Sequence, residues 1–146
     1  MENSYYFKSN VLNYLIGYFM LFEDDIILIS PWLSDLEIKL PYNKRFNTST
    51  INLSKLINKS KEKIASIIVS PDEHNNYLLG RITDEIKIKK IRDLHAKAIV
   101  SNKLVYIGSA NITRSGTSKN TELCQLATNE FLSSRKFVEK RLRIRI

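Results

Sequence analysis

The residues with the greatest chemical reach lie in the run 94–122, LHAKAIVSNKLVYIGSANITRSGTSKNTE. His95 and Lys97 are two apart, and alternation over residues 94–100 suits a strand, so both side chains leave one face about 6–7 Å apart. That spacing straddles a single anionic group, with an imidazole for proton or covalent chemistry and an ammonium to neutralise charge. Ser101-Asn102-Lys103 reads as a tight turn and residues 104–107 as the antiparallel return strand, which ends at Gly108-Ser109-Ala110-Asn111. The hairpin thus returns Ser109 and Asn111 to the side of His95. Gly108 permits close backbone approach, while the Ser109 hydroxyl and Asn111 amide supply donors for phosphate oxygens.

At these residues the chain resembles the phospholipase D superfamily, whose signature is His-x-Lys, an Asp a few residues on, then Gly-Ser/Gly-x-Asn. Here it stands as His95-Ala96-Lys97, Asn102 and Gly108-Ser109-Ala110-Asn111, with Asn in the Asp position and the following spacer one residue shorter. Both departures fall in the turn, where Asn serves as well as Asp. Residues 113–122 look like the loop of the small bacterial nucleases of this superfamily, in which a Glu contacts the catalytic histidine; Glu122 is the matching position. Ser30-Pro31-Trp32 likewise matches the Ser-Pro-aromatic end of the superfamily's opening strand. The resemblance implies an α/β fold, a mixed, mostly parallel sheet flanked by helices on both faces, over one domain spanning 1–146.

One imidazole cannot attack phosphorus and protonate the leaving oxygen at the same time. The superfamily resolves this with two motifs, in one long chain or in two copies of a short one. A single motif in 146 residues therefore implies a symmetric homodimer with a shared active site. On this reading His95 is nucleophile in one subunit and acid in the other, Lys97, Asn111 and Ser109 hold the phosphate, and Glu122 orients a histidine. The implied activity is a phosphodiesterase without cofactor or metal, acting as an endonuclease on DNA or RNA. Two other readings remain: a non-catalytic nucleic-acid-binding dimer, and a lipid phosphodiesterase or phosphatidyltransferase. His74 and His95 are the only histidines, and no metal-binding spacing of His and Cys occurs.

The balance of 23 basic against 15 acidic residues gives +8, which favours polyanionic partners. Six basic residues and one Glu follow position 134, and Lys87, Lys89, Lys90 and Arg92 lead into His95. Lys89, Lys90, Arg92, Arg114 and Lys119 are the candidate nucleic-acid contacts. Trp32 and Tyr42, near the site end of the first strand, are candidates for base stacking or for loop packing. His74 reads as an exposed loop residue. Cys124 stands alone, so no intrachain disulfide forms, and its plain role is a small buried hydrophobe. The apolar stretch 14–22 is too short for the ~20 residues of a membrane helix and has no basic leader, so neither membrane insertion nor secretion is expected, and the location is taken as cytoplasmic.

These residues need elements to position them. A first helix is expected through 14–22, drawing in Tyr5, Tyr6, Val11 and Leu12. Residues 25–29 read as a strand, 51–63 as a helix capped by Ser49 or Thr50, and 65–69 as a second strand, together a parallel crossover unit. Residues 84–91 suit an alternating strand, 72–80 a loop or short helix, and 129–142 a closing helix.

Overall fold

The computed structural model describes residues 4–146. Among them a sheet of seven strands forms the centre. In chain order the elements are β1 (Ser4–Lys8), α1 (Leu12–Phe22), β2 (Ile26–Ile29), β3 (Glu37–Lys39), β4 (Thr50–Asn52), α2 (Leu53–Lys59), β5 (Ile64–Val69), α3 (Asn76–Leu79), β6 (Ile88–Lys90), β7 (Ala98–Val100), β8 (Leu104–Gly108), β9 (Leu123–Thr128) and α4 (Ser134–Phe137). The sheet order is β1-β9-β8-β7-β2-β5-β6, and β3 pairs with β4 apart from it.

The centre of the sheet is apolar on both sides, as a strand covered twice must be. Every residue of β2 is buried. Ile26 and Leu28 join one core cluster with Phe19 and Met20 of α1, Leu56 and Ile57 of α2 and Leu78 of α3. Ile27 and Ile29 join the other, with Phe137 of α4 and Val138. Each fully buried side chain of this size contributes about 1.5–3 kcal/mol. Helices thus cover both faces, as expected. The sheet is mixed, but its balance differs from a mostly parallel one: β2/β5 and β5/β6 are parallel, while the other ladders are antiparallel. Parallel pairing needs a crossover, which 30–63 and 70–87 supply, whereas the turn 101–103 joins β7 to β8 as antiparallel neighbours.

Several elements are shorter or different from the sequence reading. Tyr5 and Tyr6 lie on β1, paired to β9, not on a helix. α1 begins only at Leu12, where Leu12, Ile16, Phe19 and Met20 acquire helical spacing. β4 takes up residues 50–52 by pairing with β3, so α2 starts at Leu53. Its cap is neither Ser49 nor Thr50. Asp35 accepts from the Ser54 N–H and Oγ, both at 2.8 Å, and pairs with Arg81 at 3.2 Å. β6 begins at Ile88, and the closing helix begins at Ser134, after Leu132 adopts φ 53° and Ser133 accepts from the Lys136 N–H. β9 was not anticipated. The crossover, the short helix α3 and the strands at 26–29 and 64–69 match expectation.

Strand directions gather one end of the sheet into a common edge. β2, β5, β6 and β8 finish there, and β7 and β9 start there. In open α/β sheets ligands bind beyond such strand ends.

Candidate active site

The β7/β8 pair is the expected antiparallel hairpin, with Ala98 opposite Ile107 and Val100 opposite Val105. Its turn is fixed by the buried Ser101: the hydroxyl accepts from the Leu104 N–H at 2.9 Å and donates to Glu23 at 2.6 Å. Glu23, at the end of α1, was not singled out from the sequence. Asn102 explains the departure from the family pattern. Its Nδ2 donates to Asp25 at 2.9 Å while its Oδ1 accepts from the Ser134 N–H at 3.0 Å. An Asp at 102 has no donor for Asp25 and sets two carboxylates together. Asn102→Asp is therefore expected to cost about 1–2 kcal/mol, lowering the thermal midpoint by several degrees. Adding Asp25→Asn, which tolerates φ 51° at that position, restores the bond with donor and acceptor exchanged; thermal melts of the four proteins in the cycle check this.

The strand at 94–100 is shorter than expected. Regular pairing stops at Ala98, because β2 ends in Ser30-Pro31 and offers no further partner on that side. Alternation nonetheless persists. Leu94, Ala96, Ala98 and Val100 all pack with one cluster and Ile99 with the other, while His95 is exposed and Lys97 half-buried. Lys97 Nζ donates to the His95 carbonyl at 3.1 Å.

On the return side, Gly108 N donates to the Lys97 carbonyl at 3.2 Å, and Ser109 N donates to the Leu123 carbonyl at 3.1 Å. These two bonds carry the pairing one step past the strands, so that His95 stands two residues before the paired Lys97 and Glu122 one residue before the paired Leu123. Glu122 also lies close enough to Tyr106 and Cys124 to push both further up in pKa. Burial is the larger cause for each, so the Tyr106 phenol stays neutral and the thiol is buried as expected. A Cβ at Gly108 would meet Tyr106 Oη at 2.6 Å and the Leu123 carbonyl oxygen at 3.0 Å, so a side chain there forces a neighbour to shift.

Ser109 and Asn111 are placed by different bonds. Ser109 Oγ accepts from the Leu123 N–H at 3.1 Å, closing the sheet where the backbone ladder ends. Asn111 Oδ1 accepts a long bond from the Trp32 N–H, at 3.4 Å. This turns the Nδ2 arm of the planar amide away from the 30–32 loop. Beneath it the buried Ser30 hydroxyl donates to the Trp32 carbonyl at 2.5 Å and accepts from the Ile112 N–H at 3.0 Å. Ser30 stood out only as part of Ser-Pro-Trp; its buried bonds depend on where Ile112 returns. Gly116, in the wide helical turn Ser115–Lys119, packs directly on the Asn111 backbone: a Cβ there would lie 2.1 Å from the Asn111 carbonyl oxygen.

The basic candidates separate. Lys89 donates to the Arg145 carbonyl at the β6 edge, and Lys90 and Arg92 are exposed. Arg114 and Lys119 line a cleft with Trp32 and His74, whereas Tyr42 does not. Arg141, which read as part of a basic tail, pairs with Glu130 and shares a cleft with His95 and Lys97. Among the described residues no three His, Cys, Asp or Glu side chains converge to hold a metal, and no helix is long and apolar enough to cross a membrane.

A His-x-Lys segment paired against Gly-Ser-x-Asn at the open ends of such a sheet defines a chain of the phospholipase D superfamily. The protein belongs to the cardiolipin synthase, PLD-like domain family, whose model matches residues 52–141. Its fold is similar to that of Nuc from Salmonella typhimurium, a phospholipase D family member, with TM-score 0.61 and 17% identity over 97% of this chain and 90% of that one. It is similar also to NucT from Helicobacter pylori, with TM-score 0.66 and 16% identity over 97% and 96% of the two chains. Polyphosphate kinase from Porphyromonas gingivalis shares the fold at TM-score 0.62 and 14% identity, over 97% of this chain and 26% of the kinase. No curated protein sequence matches the chain.

Proposed function

We propose that this protein is a phosphodiesterase that cleaves nucleic acid at an active site shared by two copies of the chain. The observation that carries the reading is the pairing of Lys97 with Gly108 and of Ser109 with Leu123, which brings the segments that hold His95 and Glu122 to one edge of the sheet. That edge carries a nucleophile, a cation and a carboxylate, and Asn111 follows Ser109 there with its amide oxygen held by the Trp32 N–H.

His95 of one subunit attacks phosphorus, a P–N bond forms, and the bond to the leaving oxygen breaks. The partner subunit's His95 gives its proton to that oxygen. Water then attacks the phosphohistidine, losing its proton to the partner's His95, and the P–N bond breaks to regenerate both imidazoles. Lys97 and the Asn111 Nδ2 stabilise charge on the non-bridging oxygens. Glu122 accepts from a histidine Nδ1–H and holds the tautomer that presents Nε2. In this scheme the positive charge needed at phosphorus comes from Lys97. The net +8 supports a polyanionic substrate.

The test is hydrolysis of plasmid DNA, single-stranded DNA and RNA in excess EDTA, with sedimentation at the same concentrations. Cleavage by a dimer is expected. A metal requirement or an active monomer overturns the mechanism, and binding without cleavage replaces it with a scaffold. A lipid phosphodiester is a second reading, favoured by the apolar lining of the His95 cleft, which includes Ala98, Ile107, Phe137 and Leu142. Hydrolysis of phosphatidyl esters but not nucleic acid would establish it.

A further inference from the structure

A second feature sits beside Asn111 and has no part in the scheme above. The rings of Trp32 and His74 stack with centroids 5.0 Å apart and planes 18° apart. The imidazole covers one face of the indole, yet Trp32 remains 46% exposed. The stack is held from several sides. His74 Nε2 lies 3.0 Å from Ser34 Oγ, and its backbone N–H donates to Asp72 at 2.8 Å. The neighbouring Asn75, fully buried, accepts from the Leu33 N–H at 2.7 Å and donates to the Pro31 and Ser70 carbonyls, both at 2.9 Å. Those bonds fix the backbone on either side of Trp32, so the ring is presented without the entropy cost of ordering a loose loop.

The ring pair opens on a cleft of about 570 Å³ that Tyr77, Arg114 and Lys119 also line. Tyr77 is 66% exposed and is supported by Arg81, whose guanidinium lies 5.1 Å from its ring and donates to its hydroxyl at 3.2 Å. Arg81 is itself held by Asp35, the cleft's one carboxylate, which also accepts from Ser54. Arg114 and Lys119 form no ion pair among the described residues. Flat aromatic faces beside free cations suit a nucleobase next to its phosphate. A paired base has both faces covered by its neighbours in the stack and cannot enter such a site without leaving it.

We infer that the Trp32/His74 stack, with Tyr77, Arg114 and Lys119, is a subsite for an unpaired nucleobase flanking the phosphate at Asn111, which makes single-stranded nucleic acid the substrate. The inference rests on the nucleic-acid reading and adds the strand form. Trp32 is the only tryptophan of the chain, so its fluorescence reports the subsite directly. The His95→Ala protein, which leaves probes uncut, is titrated with a short deoxythymidine strand, an abasic strand of equal length and a duplex. The thymidine strand is expected to quench the emission, with the abasic strand and the duplex leaving it nearly unchanged. Trp32→Ala is expected to weaken single-strand binding about tenfold or more, and Trp32→Phe, which keeps a ring, to restore it, with circular dichroism confirming the fold of each.

Equal quenching by the abasic strand, or by the duplex, overturns the subsite. So does unchanged affinity in Trp32→Ala. The wild-type protein on the same strands separates the two claims: cleavage without base-dependent quenching removes the subsite alone, whereas quenching without cleavage removes the nuclease and keeps the subsite.

Discussion

Alanine at position 95 is expected to lower phosphodiester hydrolysis by about 10⁵-fold or more, because in the proposed shared site one substitution removes the nucleophile and the acid together. His95 is exposed and outside the core, so the thermal melt is expected to move little, within the ±0.5 kcal/mol of an ordinary surface change. Subunit mixing gives the sharper measurement. If both histidines act on one phosphate, a dimer of one wild-type and one His95→Ala chain is inactive. Unfolding equal amounts together and refolding them leaves about half of the original wild-type activity, since only like-paired wild-type dimers work. Activity in strict proportion to the wild-type chain would show that each subunit works alone, and the shared site would be lost.

Gly116→Ala is expected to be the most damaging substitution that leaves every polar residue of the site in place. The added methyl would lie 2.1 Å from the Asn111 carbonyl oxygen, and both partners are backbone. Either the turn Ser115–Lys119 or the Asn111 segment must move. The cost is about 1–3 kcal/mol in overpacking, and a displacement near 1 Å at Asn111 removes about 10²-fold in rate. Thermal melts together with kcat and KM on a single-stranded probe separate the two effects. Wild-type turnover in the alanine variant would show that Asn111 has no positioning role. Gly108→Ala provides a comparison of another kind, because there the methyl meets the Tyr106 hydroxyl and the Leu123 carbonyl instead.

The hairpin was legible in the sequence because its signals are local. Ser101-Asn102-Lys103 specifies the turn, alternation runs through 94–107, and Gly108 marks the close approach. The strands 26–29 and 64–69 were equally plain, since a continuous β-branched run stopped by Ser-Pro has few other meanings. What could not be read depended on distant partners. β4 exists because β3 pairs with it, and neither run is distinctive alone. α2 is capped by a carboxylate 19 positions upstream, invisible to a search for an adjacent Ser or Thr. His74 is exposed, as its polar surroundings suggest, but it lies in the short helical turn Glu73–Asn75 and not in a loop, and its neighbour Trp32 arrives from another crossover. The basic residues divide for the same reason: Lys89 is taken up by the carbonyl of Arg145, while Arg114 and Lys119 face the aromatic cleft.

The bond between Asn102 and Asp25 has a consequence for how such chains diverge. The family's Asp position and the residue before β2 are here two halves of one choice: with an acid at 25, position 102 must donate, and with a donor at 25 it is free to be acidic. A chain crossing from one solution to the other by single substitutions passes through either two facing carboxylates or two facing amides. Of these the paired amides, which still hydrogen-bond, are the easier intermediate. Sequences on either side of that step differ in a motif letter while keeping the same hairpin. Recognition by the letter alone misplaces them, and positions 25 and 102 taken together do not.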